Sequence, residues 1–140
     1  SLEGFASATV YATCRLCGVS RTVEEVVDAA KATEDEHRAA YRALNRELDV
    51  ATGPIHPAEY VPRYASELDV SEAVRRTAET HARRLRESGE AAGRNPSGVA
   101  AACLYTAARE AGESLTQRAA ADVADVTPVT VRNTYQLLQD

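Results

Sequence analysis

Apolar residues recur along the chain at the three- and four-residue spacing of helix faces, which predicts an all-α protein. In the stretch 71–88, a serine stands at the N-cap position and one stripe of side chains is expected to face inward. That stripe consists of Val74, Ala78, His81 and Leu85. The stretch 96–111 is the richest in alanine, so we expect it to be the buried helix around which the others pack.

Start and stop signals divide the rest of the chain into further helices. Gly18 ends a first helix, and Thr22-x-x-Glu25 and Thr33-x-x-Glu36 are capping boxes that open two more. Residues 49–56 contain Gly53-Pro54 and are predicted to connect two halves of the chain. The predicted helices are 3–17, 22–31, 33–48, 57–68 with a break or bend at Pro62, 71–88, 96–111, 117–124 and 128–138.

The last two predicted helices form a helix-turn-helix pattern within residues 116–138. Thr127 suits an N-cap, Pro128 suits the first helical position, and an inward stripe follows. The stripe is Val131, Tyr135 and Leu138. At about 100° per residue, a second set of side chains lies on the opposite side of this helix. It comprises Val129, Asn133 and Gln136, with Arg132 beside them. Arginine, amides and apolar carbon are the groups that read base edges, although an ordinary helical hairpin would show the same inward stripe.

Composition restricts both the core and the location of the protein. The chain has 140 residues, of which 44% are hydrophobic, with one Phe and no Trp or Met, so small side chains and tyrosines must fill the core. No apolar run approaches the roughly 18 residues of a membrane span, and we expect a cytoplasmic protein without a membrane partner. Three cysteines, an odd number, argue against a disulfide framework.

The charge balance argues against a protein that holds nucleic acid by bulk electrostatics. Sixteen basic residues face 21 acidic ones, for a net charge of −5, and Lys31 is the only lysine. This composition resembles that of proteins from salt-loving archaea, where phosphate contacts lose much of their counterion-release free energy. A DNA-binding protein in such cells must depend on base contacts, shape and partner proteins. The candidate phosphate contacts are Arg94, Arg118 and Thr130.

Residues 1–44 repeat as residues 95–138, without a gap. The two stretches are identical at 14 of 44 positions, and glycines, tyrosines, arginines and threonines are among the pairs. The pairs include Gly4/Gly98, Tyr11/Tyr105, Arg15/Arg109, Thr22/Thr116, Arg38/Arg132 and Tyr41/Tyr135. Residues 57–94 have no counterpart before Ser1, so we expect the chain to begin within its first repeat. The predicted division is 1–50 for that first part, 51–56 for a linker and 57–140 for the second repeat.

The two copies differ on the surface that would read DNA. Val129, Thr130 and Asn133 of the second copy stand where the first copy has a charged or small residue. The counterparts are Asp35, Glu36 and Ala39. Acidic residues suit a helix N-terminus but repel phosphates. The sequence therefore predicts a groove-reading face in the second copy only.

With the repeat and the helix-turn-helix established, the sequence resembles the core of archaeal transcription initiation factor B. The stretches GRNPSGVAAACLYTAA (93–108) and SLEGFASATVYATCRLC (1–17) resemble that family's repeat signature. HPAEYVPRYASELDVSE (56–72) and TQRAAADVADVTPVTVRNTYQLL (116–138) resemble its second repeat. The resemblance covers the whole chain.

The resemblance implies two cyclin-like five-helix repeats, the first lacking its two opening helices and the second complete. It implies a core that clamps TATA-binding protein on promoter DNA, with the second helix-turn-helix reading the upstream B recognition element. By motif match, Val129 and Arg132 are the base-reading pair, and Tyr60 with Arg63 is expected at the contact with TATA-binding protein. The family's zinc ribbon and polymerase-entering segment are not in this sequence, so RNA polymerase is expected only through that absent region.

No residue pattern indicates an enzyme, a metal site or a cofactor site. Cys14 and Cys17 form a lone C-x-x-C inside a helix, and their counterparts in the second copy are alanines, which indicates packing positions rather than zinc ligands. Cys103 is expected in the core, and no nucleophile stands at readable spacing from a base.

Two other functions stay open at this point. The first is a cyclin-type adaptor that binds only protein and reads no DNA, because a fold does not fix a function. The second is a free-standing repressor, which the absence of a recognisable dimerisation helix disfavours. The exposed face from Val129 to Gln136 distinguishes the adaptor from a promoter-reading module, since a pure adaptor has no use for it.

Overall fold

The computed structural model describes residues 1–48 and 56–139. The chain divides into two compact units, residues 1–54 and 55–140. Within the described residues every regular element is helical, as predicted for cyclin-like repeats. Of the predicted linker 51–56, only His56 lies among the described residues.

The helices begin and end close to where the local signals predict. Unit 1 contains α1 (Leu2–Cys17), α2 (Val23–Ala30) and α3 (Glu34–Leu48). Unit 2 contains a 3₁₀ turn (Pro57–Glu59), α4 (Val61–Glu67), α5 (Glu72–Ser88), α6 (Pro96–Glu110), α7 (Gln117–Ala124) and α8 (Pro128–Gln139). Gly18 closes α1 in the left-handed conformation at φ 72°. Both capping boxes of unit 1 form, with reciprocal bonds between Thr22 and Glu25 and between Thr33 and Glu36.

The break predicted at Pro62 lies two residues earlier. The 3₁₀ turn ends and α4 begins around Tyr60, whereas Pro62 sits in the first turn of α4. A first-turn amide has no partner inside its own helix, so proline replaces it there without losing a hydrogen bond. Pro62 therefore opens this helix and does not bend it.

Helix α6 is the centre of unit 2, as its alanine content predicts. Its residues from Ser97 to Ala108 are all buried, and it packs against the 3₁₀ turn and against α4, α5, α7 and α8. Small side chains let four helices approach one axis closely. The predicted inward residue His81 is largely buried, with its side chain 12% exposed and its Nε2 2.6 Å from Glu110 Oε1 of α6, and Ala82 beside it is buried as well.

The internal repeat is visible as repeated geometry. Helices α1, α2 and α3 begin 94 residues before α6, α7 and α8 (2/96, 23/117 and 34/128). The Tyr11 and Tyr41 rings meet edge-on with centroids 5.5 Å apart, and their counterparts Tyr105 and Tyr135 do so at 5.2 Å. This identical pair of tyrosines thus makes the same contact inside each unit.

Candidate nucleic-acid interface

Helices α7 and α8 are two short helices joined by residues 125–127, at the place where a helix-turn-helix is predicted. The Thr116 hydroxyl accepts a hydrogen bond from the Ala119 amide at 3.0 Å and caps α7. Asp125, directly after α7, adopts the left-handed conformation at φ 55° and turns the chain. Pro128 is then the first residue of α8. Lys31 occupies the same conformation at the equivalent place in unit 1, at φ 57°. The turn between α7 and α8 is therefore part of the repeated framework.

One side of α8 is fixed against the core. Val131, Thr134 and Leu138 are buried, and Tyr135 is half-buried against Tyr105. The burial of Val131 and Leu138 was predicted, but that of Thr134 was missed because a hydroxyl residue was not counted in an apolar stripe. Its position three residues after Val131 was the available signal. With this side buried, the rotation of α8 about its own axis is determined.

The opposite side of α8 is open to solvent. Val129 is 49% exposed, and the polar residues of the predicted reading face are exposed as well. Those residues are Arg132, Asn133 and Gln136. Within residues 1–48 and 56–139, no acidic group forms an ion pair with Arg132. The structure thus brings an apolar group, two amides and an uncompensated guanidinium onto one ridge, which consists of the four residues predicted to read bases.

A buried serine, which no sequence pattern indicates as functional, connects the helices behind this ridge to the rest of unit 2. The Ser97 hydroxyl of α6 donates to the carbonyl oxygen of Ala124, the last residue of α7, at 2.9 Å. It also lies 2.6 Å from the Tyr64 hydroxyl of α4. One hydroxyl group therefore joins α4, α6 and the start of the turn that leads into α8.

The three candidate phosphate contacts have different surroundings. Arg94 and Arg118 are exposed, and neither forms an ion pair with any described residue. Thr130 is half-buried in the first turn of α8, and its hydroxyl lies 3.2 Å from that of Thr127. The two arginines are free to reach an anion, whereas Thr130 offers mainly a hydroxyl that already has a partner.

The predicted partner-binding residues lie on the 3₁₀ turn and α4. Tyr60 is only 4% exposed, and its ring stacks on that of Tyr64 with centroids 5.6 Å apart. Arg63 is half-buried, with its guanidinium carbon 5.0 Å from the Tyr64 ring centroid and its Nε 3.6 Å from Glu67 Oε1. Most of Tyr60 therefore belongs to the core of unit 2, and Arg63 supplies the larger share of the surface here.

The equivalent face of unit 1 carries acid, as the sequence predicts. The guanidinium of Arg38, the counterpart of Arg132, lies 3.3 Å from the Asp35 carboxylate. Hydrogen bonds from the Ser1 hydroxyl and from Thr33 lower the pKa of Glu36, which keeps a negative charge in the first turn of α3. The two units thus present opposite surfaces on the same framework.

Among the described residues, the other chemically active side chains do not assemble into a second site. Within the described ranges, no three His, Cys, Asp or Glu residues come together in a way that could hold a metal ion. Cys14 and Cys17 are free thiols at the surface of α1, and burial raises the pKa of the Cys103 thiol to about 12. His37 is buried in unit 1, where its Nδ1 is 2.9 Å from the Ser7 hydroxyl. None of the described helices is both long and apolar enough to cross a membrane.

Comparison with known proteins gives matches along the whole chain. Residues 1–47 and 50–140 match the transcription factor TFIIB repeat family. Transcription initiation factor IIB 1 of Halobacterium salinarum is 56% identical over 140 residues, which are all of this chain and 49% of that protein. Transcription initiation factor IIB of Methanococcus maripaludis is 43% identical over the whole chain and 41% of its own length. The factor of the same name from Methanocaldococcus jannaschii is 43% identical, with 21% of its length covered. The chain spans about half the length, or less, of the curated relatives it matches.

Proposed function

The chain belongs to the transcription factor TFIIB repeat family, whose members are transcription factors and not enzymes, and from that membership we propose that it recognises core promoters during transcription initiation. The relatives are named transcription initiation factors. In this proposal the described units bind promoter DNA together with TATA-binding protein. Helix α8 enters the major groove and reads the B recognition element upstream of the TATA box.

The exposed ridge of α8 carries the proposal. A helix in the major groove reads bases with a few side chains that project from it, typically arginine on guanine and asparagine or glutamine on adenine. Arg132 projects without an acidic partner among the described residues, and Asn133 and Gln136 are exposed beside it. Val129 adds an apolar contact of the kind that fits a thymine methyl group.

The net charge explains why a protein partner belongs in the proposal. At a net charge of −5 the chain as a whole repels DNA, and Arg94 and Arg118 are too few to hold a duplex against that repulsion. TATA-binding protein on bent DNA would supply a second contact surface and make binding cooperative. We assign that contact to Arg63 and Tyr60, with most of the accessible surface on Arg63. RNA polymerase is assigned no contact with the described residues.

Substitution of Arg132 tests base reading directly. Arg132→Ala should cost about 1–3 kcal/mol on the preferred upstream sequence, because it removes one bidentate base contact. Each 1.4 kcal/mol corresponds to a tenfold change in Kd. The assay is a gel-shift titration with TATA-binding protein present, on promoter duplexes that differ only upstream of the TATA box.

Arg38→Ala is the matched control, since Arg38 is the counterpart of Arg132 in unit 1 and already pairs with Asp35 at 3.3 Å. It removes the same charge and should leave the preference for the upstream sequence unchanged. Equal binding of the unaltered chain to all upstream sequences, or equal effects of the two substitutions, would contradict base reading by α8.

A protein-binding adaptor remains the second candidate, and one observation favours it. Helix α1 of unit 1 exposes large apolar side chains, with Phe5 at 55%, Val10 at 51% and Leu16 at 62%. Exposed apolar side chains of this size can form part of a protein-binding surface where they lie together. If this were the whole function, substitutions at Val129 and Arg132 would leave all partner binding intact and no upstream sequence preference would be found.

A further inference from the structure

Arg109, in the last turn of α6, lies beside the base-reading helix. Its side chain is exposed, and its guanidinium carbon is 5.9 Å from the ring centroid of Tyr135 on α8. A cation within about 6 Å of an aromatic ring is attracted by the ring face. The interaction places a positive charge against α8 from a neighbouring helix.

The neighbouring acidic residues are engaged elsewhere. Glu110 lies 2.6 Å from His81, and the Glu113 carboxylate accepts a hydrogen bond from the Ser71 amide at 3.3 Å. By contrast, Arg75 on α5 is held between Glu72 and Glu79. Among the described residues Arg109 has no such acidic partner, so its charge is available to an anion.

The position of Tyr135 on α8 indicates which anion Arg109 would meet if α8 lay in the major groove. Successive residues are about 100° apart, so Tyr135 lies roughly 60° around the helix from Arg132, between the buried side and the ridge. Thr130 lies on the other flank of the same ridge. A helix about 10–12 Å wide nearly fills a major groove about 12 Å wide, so its two flanks face the sugar-phosphate strands that border the groove.

We propose that Arg109 contacts a DNA phosphate on the strand that borders the Tyr135 flank of α8, and that Tyr135 positions its guanidinium there. The inference deepens the proposed function and rests on it, because it assumes that α8 lies in the major groove. Phosphate contacts fix the orientation of a reading helix and carry no sequence information themselves. Arg109 thus contributes affinity and alignment from α6, while Arg132 contributes specificity from α8.

The test compares Arg109→Ala with the unaltered chain over a series of salt concentrations. The probe is a promoter duplex with TATA-binding protein bound, and a second duplex has a scrambled upstream element. Loss of one phosphate contact should reduce the slope of log affinity against log salt by about 0.9. A fourfold rise in salt concentration should then reduce the DNA affinity of Arg109→Ala by a factor about 3.5-fold smaller than for the unaltered chain. The loss of affinity should be the same on both duplexes.

Two further variants separate charge from packing. Arg109→Lys keeps the positive charge and should retain most of the salt slope, whereas a role in packing alone would make it behave like Arg109→Ala. Arg84→Ala removes an exposed arginine of α5 that has no ion pair among the described residues, and it should leave the slope unchanged.

The outcomes distinguish this inference from the proposed function. An unchanged slope for Arg109→Ala, or the same change for Arg84→Ala, overturns the phosphate contact even when Arg132→Ala abolishes the upstream preference. A sequence-dependent loss for Arg109→Ala also overturns it, because a phosphate contact is indifferent to sequence. If the unaltered chain has no upstream preference and no salt-dependent binding, the proposed function fails and this inference fails with it.

Discussion

The hydroxyl of Ser97 offers the sharpest test of how the helix-turn-helix is held in unit 2. The group has one proton, which it donates to the carbonyl oxygen of Ala124 at 2.9 Å. It must then accept the proton of the Tyr64 hydroxyl, 2.6 Å away. Substitution with alanine removes both hydrogen bonds and leaves the surrounding helices otherwise unchanged.

The cost of Ser97→Ala follows from burial. Ser97, Tyr64 and Ala124 are all nearly inaccessible to water, so solvent cannot replace the lost partner of either group. A typical hydrogen bond contributes about 0.5–1.5 kcal/mol, and a buried polar group that loses its partner costs about 1–3 kcal/mol. We expect Ser97→Ala to lower the free energy of unfolding of unit 2 by about 2–3 kcal/mol. For a unit of this size, each 1 kcal/mol lowers Tm by about 4–8 °C.

Thermal and urea unfolding of the whole chain, followed by helical circular dichroism, would measure this effect. A double-mutant cycle with Tyr64→Phe isolates the bond between the two hydroxyls. Because the two substitutions remove a shared interaction, the double variant should be less destabilised than the sum of the single ones, by about 0.5–3 kcal/mol.

Thr106→Val is the matched control within α6. The buried Thr106 hydroxyl donates at 2.7 Å to the carbonyl of Ala102 in its own helix, so it joins no other element. Its loss should cost clearly less than that of Ser97. Equal losses for the two variants, or strict additivity with Tyr64→Phe, would refute the view that this serine joins α4, α6 and α7.

Three further predictions concern unit 1, the repeated glycines and the thiols. A Cβ added at Gly4 would lie 2.7 Å from a backbone carbonyl oxygen of α3, whereas one added at Gly98 would lie 3.0 Å from a side-chain methyl of α8. In urea denaturation, Gly4→Ala should therefore lower the free energy of unfolding by about 1–3 kcal/mol, and Gly98→Ala should lower it by less. Burial lowers the pKa of His37 from its ordinary 6.5. The stability that neutral His37 contributes to unit 1 should therefore be fully present above pH 6.5 and should decline as pH falls from there towards the lowered pKa. Urea midpoints across this range test the sign, and His37→Gln should remove this pH-dependent contribution. Burial raises the pKa of Cys103 to about 12, so this thiol should not react in the folded chain. A thiol reagent should label the exposed Cys17 in the folded chain and Cys103 only after unfolding, as detected by mass spectrometry. Early labelling of Cys103 would contradict its burial.

Much of the fold is predictable because its signals are local. Thr22 with Glu25 and Thr33 with Glu36 mark helix starts within four residues of sequence, and Gly18 marks an end. Each signal is a hydrogen bond or a backbone conformation that a short segment adopts by itself. The helices of unit 1 therefore begin and end within a residue or two of the predicted positions.

The exposure of the proposed reading face was predictable for a related reason. Helical periodicity fixes which residues share a side once Val131 and Leu138 are placed inward, and the exposure of Val129 and Asn133 follows from that geometry. The repeat supplied a comparison, since Asp35 stands where Val129 does. What these side chains bind was not testable from spacing alone.

The interactions that position this face were not predictable, because they join residues distant in sequence. Ser97 is one hydroxyl residue in an alanine-rich helix, and nothing in its neighbourhood indicates partners on α4 and α7. The placement of Arg109 over Tyr135 likewise depends on how α6 and α8 pack. The packing of Tyr60 into the core of unit 2 was also not predictable, because the motif match indicated only a nearby partner contact.

The first turns of α3 and α8 show what the proposed reading face would cost the fold. Helix α3 begins with Glu34, Asp35 and Glu36, whose charges stabilise the positive end of the helix dipole. Helix α8 has no acidic residue in its first turn and so forgoes about 0.3–1 kcal/mol for each such charge. That loss is compatible with folding because Val131, Thr134 and Leu138 anchor α8 in the core. The absence of acid leaves the amide end of α8 attractive to phosphate, and a helix in the major groove needs that property where it meets DNA.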